Sequence, residues 1–328
     1  MTQTTACLVF NPVAGQSDPE QDLALIRSLL EPEIDLDIRL TTEEKDADVI
    51  AQEAIADGAK AIIASGGDGT LSAAASALVG KNIPLGIISR GTANAFAAAL
   101  ELPDTIEAAC ETILGGATRT VDAAVCNGLP MVLLAGIGFE AETVEKADRR
   151  TKKRFGMLAY VMAGLQQLRE LNHFTTEIET EDKVITVTAS AVTVANAAPP
   201  TSILAQGPAG VVFNDGLLDV TVVSPVNRAG AIAASYHLLQ TALNENSAAD
   251  RNDIGYIRAR RVIIRTNPLQ KVVVDGEVVG ETPIDVECIP EGLTIFVPTE
   301  AAPPSPTEKL EGLPDLEIKS KPVVGFTE

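Results

Sequence analysis

In this 328-residue sequence the residues best suited to chemistry are small ones. Gly66, Gly67, Asp68, Gly69, Thr70, Leu71 and Ser72 follow the apolar run Ala61–Ala64 and Ser65, and an alanine-rich segment continues to Val79 and stops at Gly80. That order reads as strand, glycine turn and helix. Glycine admits φ > 0 and lets a ligand approach bare backbone N–H groups. A helix start behind it adds orphan donors and the positive end of a dipole, so a phosphate fits there. Asp68 is the exception, because a carboxylate beside a phosphate repels it unless a divalent cation or a proton-transfer role intervenes. Two more turns have the same character: Asn11, Pro12, Val13, Ala14 and Gly15 after the strand Cys7–Phe10, and Gly91, Thr92, Ala93 and Asn94 after the strand Pro84–Ile88, Ser89 and Arg90.

Two acidic turns supply the other candidates. Asp275-Gly276-Glu277 ends the strand Lys271–Val274; a carboxylate there can accept a proton, but Asp-Gly is also a favoured hairpin turn, and spacing alone favours the turn. Asp215-Gly216, inside NDGLLDV, is equally ambiguous. Gly136-Ile-Gly-Phe-Glu-Ala141 matches a dinucleotide fingerprint but lacks the acidic residue about twenty positions on, which disfavours an NAD-linked oxidoreductase. No GxxxxGK[ST] occurs, so this is not a P-loop protein.

With 25 basic and 45 acidic residues the formal net charge is -20. That excludes nucleic acid as the expected partner and disfavours tight electrostatic binding to anionic membranes. The local exception, Arg149–Arg154, runs into Phe155, Met157, Leu158 and Tyr160. It reads either as a segment lying on a bilayer surface or as an ordinary amphipathic helix with a charged start. Four scattered cysteines without a CxxC pair, and two histidines, give no zinc or disulfide framework and fit a reduced, cytoplasmic setting. No N-terminal targeting pattern is visible, and no apolar run approaches the ~20 residues of a membrane helix.

These residues need elements to position them. Helical spacing covers Pro19–Leu30, Asp46–Ala56, Ala95–Leu100 and Asp104–Leu114, and Ile34–Leu40 alternates as a strand. Strands and helices alternate through residues 1–124, which predicts an α/β domain with a mostly parallel sheet and its three turns at the carboxyl edge. A helical stretch, Glu140–Leu171, follows. Strand patterns then recur at Val184–Ala195, Val211–Phe213, Leu217–Val223, Val262–Arg265 and Thr294–Val297, with a lone helix at Asn227–Asn244. Residues 125–298 therefore read as a mainly antiparallel β-sandwich that carries the Asp275-Gly276-Glu277 turn, with its last strand free to return to the first domain. Residues 299–328, rich in proline and charge, read as a solvated tail.

The five motifs, NPxxG, GGDGT, GTANAFA, NDGLLDV and VDGE, with GIGFEAE between the third and fourth, resemble the diacylglycerol kinase catalytic-domain family. That group includes the bacterial soluble lipid kinases, the sphingosine kinases and, more distantly, the NAD kinases. The likeness spans about Ala6–Pro298. It implies a kinase that moves the γ-phosphoryl of ATP to a lipid hydroxyl at a membrane surface with Mg²⁺, the sandwich of residues 125–298 binding the acceptor. It implies ATP across Asn11–Gly15, Thr41, Gly66–Ser72, Thr92 and Asn94, with Asp68 holding Mg²⁺ or its water. Glu277 inherits the role of proton acceptor, supported by Asp275. A structural Mg²⁺ is implied at Asp215 and the carbonyls of Val212 and Leu217. Ala95 departs from the GTxNDFA of many bacterial members, which leaves the acceptor lipid open. An NAD-kinase-like phosphotransferase, a non-catalytic nucleotide-binding regulator and a homodimer also stay open.

Overall fold

The computed structural model describes residues 4–15, 17–92, 94–138, 173–199, 205, 211–224, 253–298 and 317–320. The Glu140–Leu171 and Asn227–Asn244 stretches, the Arg149–Arg154 run and Phe139–Glu142 lie outside the described residues.

The first half is built from β1 (Thr4–Phe10), α1 (Pro19–Leu30), β2 (Ile34–Leu40), α2 (Ala47–Ala56), β3 (Ala61–Gly66), α3 (Asp68–Ser76), β4 (Leu85–Ser89), α4 (Ala95–Ala99) and α5 (Ile106–Gly115). The helix starts follow from side chains in the sequence: Asp18 caps α1 ahead of Pro19, Asp46 caps α2 and Thr105 caps α5. Strands β2, β1, β3 and β4 lie side by side in that order, all parallel. Successive strand residues face opposite sides, and both sides are covered. Cys7, Val9, Ile62 and Ala64 pack with Ile50 of α2 and Leu71 of α3. Ala6, Leu8, Ala61 and Ile63 pack with Ile26 of α1 and Cys110 of α5. Burial on both faces explains why β1 and β3 read as continuous apolar runs.

The second half contributes β5 (Thr118–Cys126), β6 (Leu129–Met131), β7 (Leu134–Gly138), β8 (Phe174–Glu179), β9 (Lys183–Ala189), β10 (Ala191–Ala195), β11 (Leu218–Val223), β12 (Ile254–Ala259), β13 (Arg261–Asn267), β14 (Lys271–Val274), β15 (Glu277–Glu281), β16 (Ile284–Phe296) and β17 (Glu317–Ser320). One sheet runs β12-β11-β10-β7-β14-β15, antiparallel throughout. The other is shared by both halves: β16 pairs with β13 and β5 antiparallel and bridges to β4 in parallel through Ile295 and Leu85, so the order runs β17-β9-β8-β13-β16-β4-β3-β1-β2. Ile137, Val192, Val220 and Ile257 of the first sheet meet Ile178, Ile185, Val262 and Val286 of the second in one buried cluster, which is the sandwich core.

The fold is thus an α/β half with a parallel sheet, continued into an antiparallel β-sandwich. The division expected at 124/125 falls inside β5, because β5 runs on along β16. Val184–Ala195 is two strands, broken at Ser190, which separates β9 and β10 into different sheets. Val211–Phe213 is not a strand; it is held beside β5 by the Asp122 N–H donating to the Phe213 carbonyl. The tail is not wholly solvated, since Glu317–Ser320 pairs with the edge of β9. Gly136 and Gly138 sit within β7, an antiparallel strand flanked by β10 and β14, which is not the parallel strand-to-helix setting of a dinucleotide fold. Among the described residues no helix is long and apolar enough to cross a membrane.

Candidate active site

Register brings the three turns together. Phe10 lies beside both Leu40 and Ser65, Ser65 beside Ile88, and Gly66 beside Ser89, so the strands end in line. The turns are then tied to one another. The Asn11 backbone N–H donates to the Ser65 carbonyl at 2.9 Å, and its side-chain Nδ2 donates to Thr70 Oγ1 at 2.8 Å. The Arg90 N–H donates to the Gly66 carbonyl at 2.8 Å and the Thr41 N–H to the Phe10 carbonyl at 3.0 Å. Gly15, at φ +90°, lies so close to Arg90 that a Cβ would stand 2.7 Å from the Arg90 carbonyl oxygen. A Cβ on Gly91 would stand 3.1 Å from Gly67 Cα. Glycines therefore serve here as contact points between turns.

Gly67 is the cap residue of α3 and gives no side-chain cap, so the amides of the first helical turn are not occupied by its own side chain. Such a helix start accepts an anion. Gly69 is exposed, and a Cβ there would meet nothing within 4 Å. Ser72 Oγ is buried without a hydrogen-bond partner among the described residues. Leu71, expected at the nucleotide, does not belong there: its side chain is fully buried in the α/β core and its N–H donates to the Gly67 carbonyl. The 3.6-residue helical period turns position 71 toward the sheet.

Asp68 stands half-buried at the start of α3, and its Oδ1 accepts the Phe96 N–H of α4 at 3.0 Å. Burial raises its pKa, while backbone N–H groups at Phe96 and Ala95 oppose the rise. Asn94, in the left-handed region at φ 48°, gives α4 no side-chain cap. Ala95 is the first residue of α4.

Arg90 is the site residue that sequence reasoning missed. Its side chain is 2% exposed. Nε donates to Ser65 Oγ at 3.0 Å, and Nη1 to Asp22 Oδ2 at 3.0 Å and to the Ala14 carbonyl at 3.3 Å. Nη2 donates to the Asn11 carbonyl, and the guanidinium lies 4.0 Å above the Phe10 ring. Burial disfavours its charge and Asp22 favours it. The available signal was a charged residue directly after the apolar strand, a position where a cation reads as solvated.

On the sandwich side, Asp275 (φ 48°) and Gly276 (φ 89°) form the two-residue turn between β14 and β15, with Val274 facing Glu277. Both positive angles fit a primed hairpin turn. The Asp275 carboxylate accepts three backbone N–H groups, those of Val132, Leu133 and Leu134, at 2.8–3.0 Å. Burial pushes its pKa up to about 6 against those donors. Val132 and Leu133 pack in the same cluster as Leu71 of α3. Asp275 thus anchors the hairpin to the β6–β7 segment, which packs on the α/β core, while Glu277 is exposed on β15.

The turn at Asp215 is held differently. Asp122 Oδ2 accepts the Gly216 N–H at 2.6 Å and its Oδ1 the Glu291 N–H at 2.9 Å. Asp215 Oδ1 accepts the Leu217 N–H at 3.1 Å, and Arg258 Nη2 donates to Asp215 Oδ2. Arg258 Nε also reaches Asp219, the residue facing it across the strands, at 3.1 Å. Val212 and Leu217 are half-buried beside them.

Residues 5–126 match the family described as the diacylglycerol kinase catalytic domain, and residues 134–297 match the YegS C-terminal NAD kinase beta sandwich-like domain. The chain belongs to this kinase family. It is 48% identical over 307 residues to an uncharacterized protein, sll0036, of Synechocystis, covering 90% of this chain and 71% of that one. It is 29% identical over 310 residues to a diacylglycerol kinase of Bacillus subtilis, covering 90% and 97%. A solved diacylglycerol kinase of Bacillus anthracis superposes with a TM-score of 0.71 at 26% identity, covering 91% of this chain and 98% of that one.

A kinase of this family needs charge neutralisation at the transferred phosphoryl. Asp68 fits a catalytic cation: a carboxylate offers about four lone-pair sites, more than the backbone N–H groups of Phe96, Ala95 and Asp68 itself take up beside the glycine cradle. Asp215 is less suited to a metal, since Oδ1 accepts the Leu217 N–H, Oδ2 the Arg258 guanidinium, and the arginine cation already balances its charge. No step is derived from the Mg²⁺ expected through Asp215, Val212 and Leu217.

Proposed function

We propose that the protein is an ATP-dependent lipid kinase that passes the γ-phosphoryl group to the hydroxyl of a membrane lipid such as a diacylglycerol or a sphingoid base. The observation that carries this reading is the joining of three amide-bearing turns at one sheet edge, with the uncapped start of α3 among them. Such a cradle suits a triphosphate, and phosphoryl transfer depends on positioning and electrostatics more than on covalent chemistry. Thr41, Thr92 and Asn94 would rim it, as the family resemblance implies. Mg²⁺ held through Asp68 would supply charge neutralisation between the phosphates. Glu277 takes the proton of the lipid hydroxyl as that oxygen bonds to phosphorus and the bond to the ADP oxygen breaks.

ADP release measured over a panel of lipid alcohols tests this reading. Turnover with a lipid acceptor, lost in Glu277→Gln while nucleotide binding persists, is the expected result. Nucleotide binding without turnover on any acceptor would instead support a non-catalytic regulator.

A further inference from the structure

We infer that Arg90 is a positioning residue for the nucleotide, acting as an internal brace that fixes the Asn11–Gly15 turn rather than as a phosphate ligand. This rests on the reading of the three turns as a triphosphate cradle.

The inference comes from where the guanidinium hydrogens go. An arginine has five N–H donors and no acceptor. Here Nε is spent on Ser65 at the end of β3, Nη1 on Ala14 and Asp22, and Nη2 on Asn11. Ala14 and Asn11 are carbonyls of the first turn itself. Asp22 belongs to α1, which that turn leads into, and it also accepts the Ser17 hydroxyl at 2.5 Å. The same residue holds the third turn by its backbone, through its N–H to Gly66, and its carbonyl forms the floor under Gly15. One side chain therefore sets the height of the first turn above the second and third.

Turning carbonyls inward has a consequence for binding. The Asn11 and Ala14 carbonyl oxygens would repel a phosphate if they faced it, and Arg90 draws them to the protein side. The charge on the guanidinium is matched by Asp22, so little of it is left for the ligand. A phosphate-binding arginine has the opposite design, with its fork open to the anion.

The two roles make opposite predictions for Asp22. Isothermal titration of Mg–ATP and ADP against wild type, Asp22→Asn, Arg90→Met, Arg90→Lys and the Asp22→Asn/Arg90→Met double variant separates them, with far-ultraviolet circular dichroism to confirm folding. For a brace, Asp22→Asn weakens ATP binding by several-fold and Arg90→Met by roughly tenfold or more, and the double variant stays within about twofold of Arg90→Met, because the residues act as one unit. KM for ATP rises more than kcat falls, and Arg90→Lys recovers only part of the loss because lysine lacks the planar fork. If Asp22→Asn tightens ATP binding, the freed guanidinium is a phosphate ligand and the inference fails. Unchanged affinity in Arg90→Met and Asp22→Asn also overturns it while leaving the cradle intact. Wild type that binds no nucleotide overturns the cradle itself.

Discussion

Asp68 of the GGDGT turn accepts the N–H of Phe96 at 3.0 Å and so caps a helix 28 residues away. Asn94, the residue positioned to cap α4, contributes no such bond. The acidic member of the glycine turn therefore has a structural bond as well as its place beside the other turns, and a single substitution can separate the two. Asp68→Asn keeps an oxygen for Phe96 but loses the charge. It should fold with stability within about 1 kcal/mol of wild type while losing most turnover, whereas Asp68→Ala should lose turnover and also about 1 kcal/mol for the missing cap. Urea titration alongside ADP release checks both; an active Asp68→Asn variant would remove the cation role.

Glycines in the turns divide by what surrounds them. Gly15 cannot carry a Cβ without meeting the Arg90 carbonyl, and its φ of +90° disfavours any side chain. Gly69 has open space and a helical position. Gly69→Ala should therefore leave stability unchanged or raise it by up to about 1 kcal/mol. If phosphate oxygens approach this amide, the same variant should weaken Mg–ATP binding. Gly15→Ala should lose both stability and binding. Calorimetry of the two variants decides whether Gly69 is kept free for a ligand.

Glu277 and Asp275 are neighbours with different duties. Glu277→Gln should lower kcat by about 10²–10⁴-fold with little change in melting temperature, as expected for an exposed proton acceptor. Asp275→Asn presents an amide to a site that holds three N–H donors, so it should cost about 1–3 kcal/mol in stability and lower activity indirectly. An Asp275→Asn protein as stable as wild type would show that the hairpin is anchored elsewhere.

Two buried carboxylates set a pH signature. Burial raises Asp275 to about 6 and Asp219 to about 7, the latter against the lowering effect of Arg258. Both values lie above the ordinary 3.8, so the folded chain binds these protons more tightly than the unfolded chain. Their contribution to stability is present in full below about 3.8 and is lost as pH rises through about 6 and 7. Wild type should gain stability relative to Asp219→Asn between pH 7.5 and pH 5 in denaturant titrations. A relative loss over that range contradicts the assignment.

The α/β half was legible because its signals are local. Ile34–Leu40 alternates, Pro19–Leu30 has a cap and a helical stripe, and Ala61–Ala64 runs apolar into its turn, so bounds and order followed directly. Long-range pairing was not legible. The return of the last strand to the α/β half was expected, but nothing in Ile284–Phe296 gives its pairing with β5, β13 and β4, and β15 is exposed along its whole length, so it has no apolar pattern to read. The same limit applied at the site. GGDGT, NPxxG and GTAN were visible as turns. Arg90 was not, because a buried arginine is recognisable only from the carbonyls, hydroxyl and carboxylate that surround it. Leu71 was assigned to the ligand by its place in a motif, but helical periodicity sends it into the core. Asp215 was given a metal only by the family resemblance, and its pairing with Arg258, 43 residues on, could not be seen in the sequence.

The most direct measurement is a crystal structure with Mg²⁺ and a non-hydrolysable ATP analogue. The β- and γ-phosphates should lie against the amides of Gly67–Thr70, within reach of the Asn11–Gly15 turn and Thr92, with the metal on Asp68. A triphosphate bound anywhere else, or one that leaves these three turns untouched, would show that the joined turns are a folding device and not a nucleotide site.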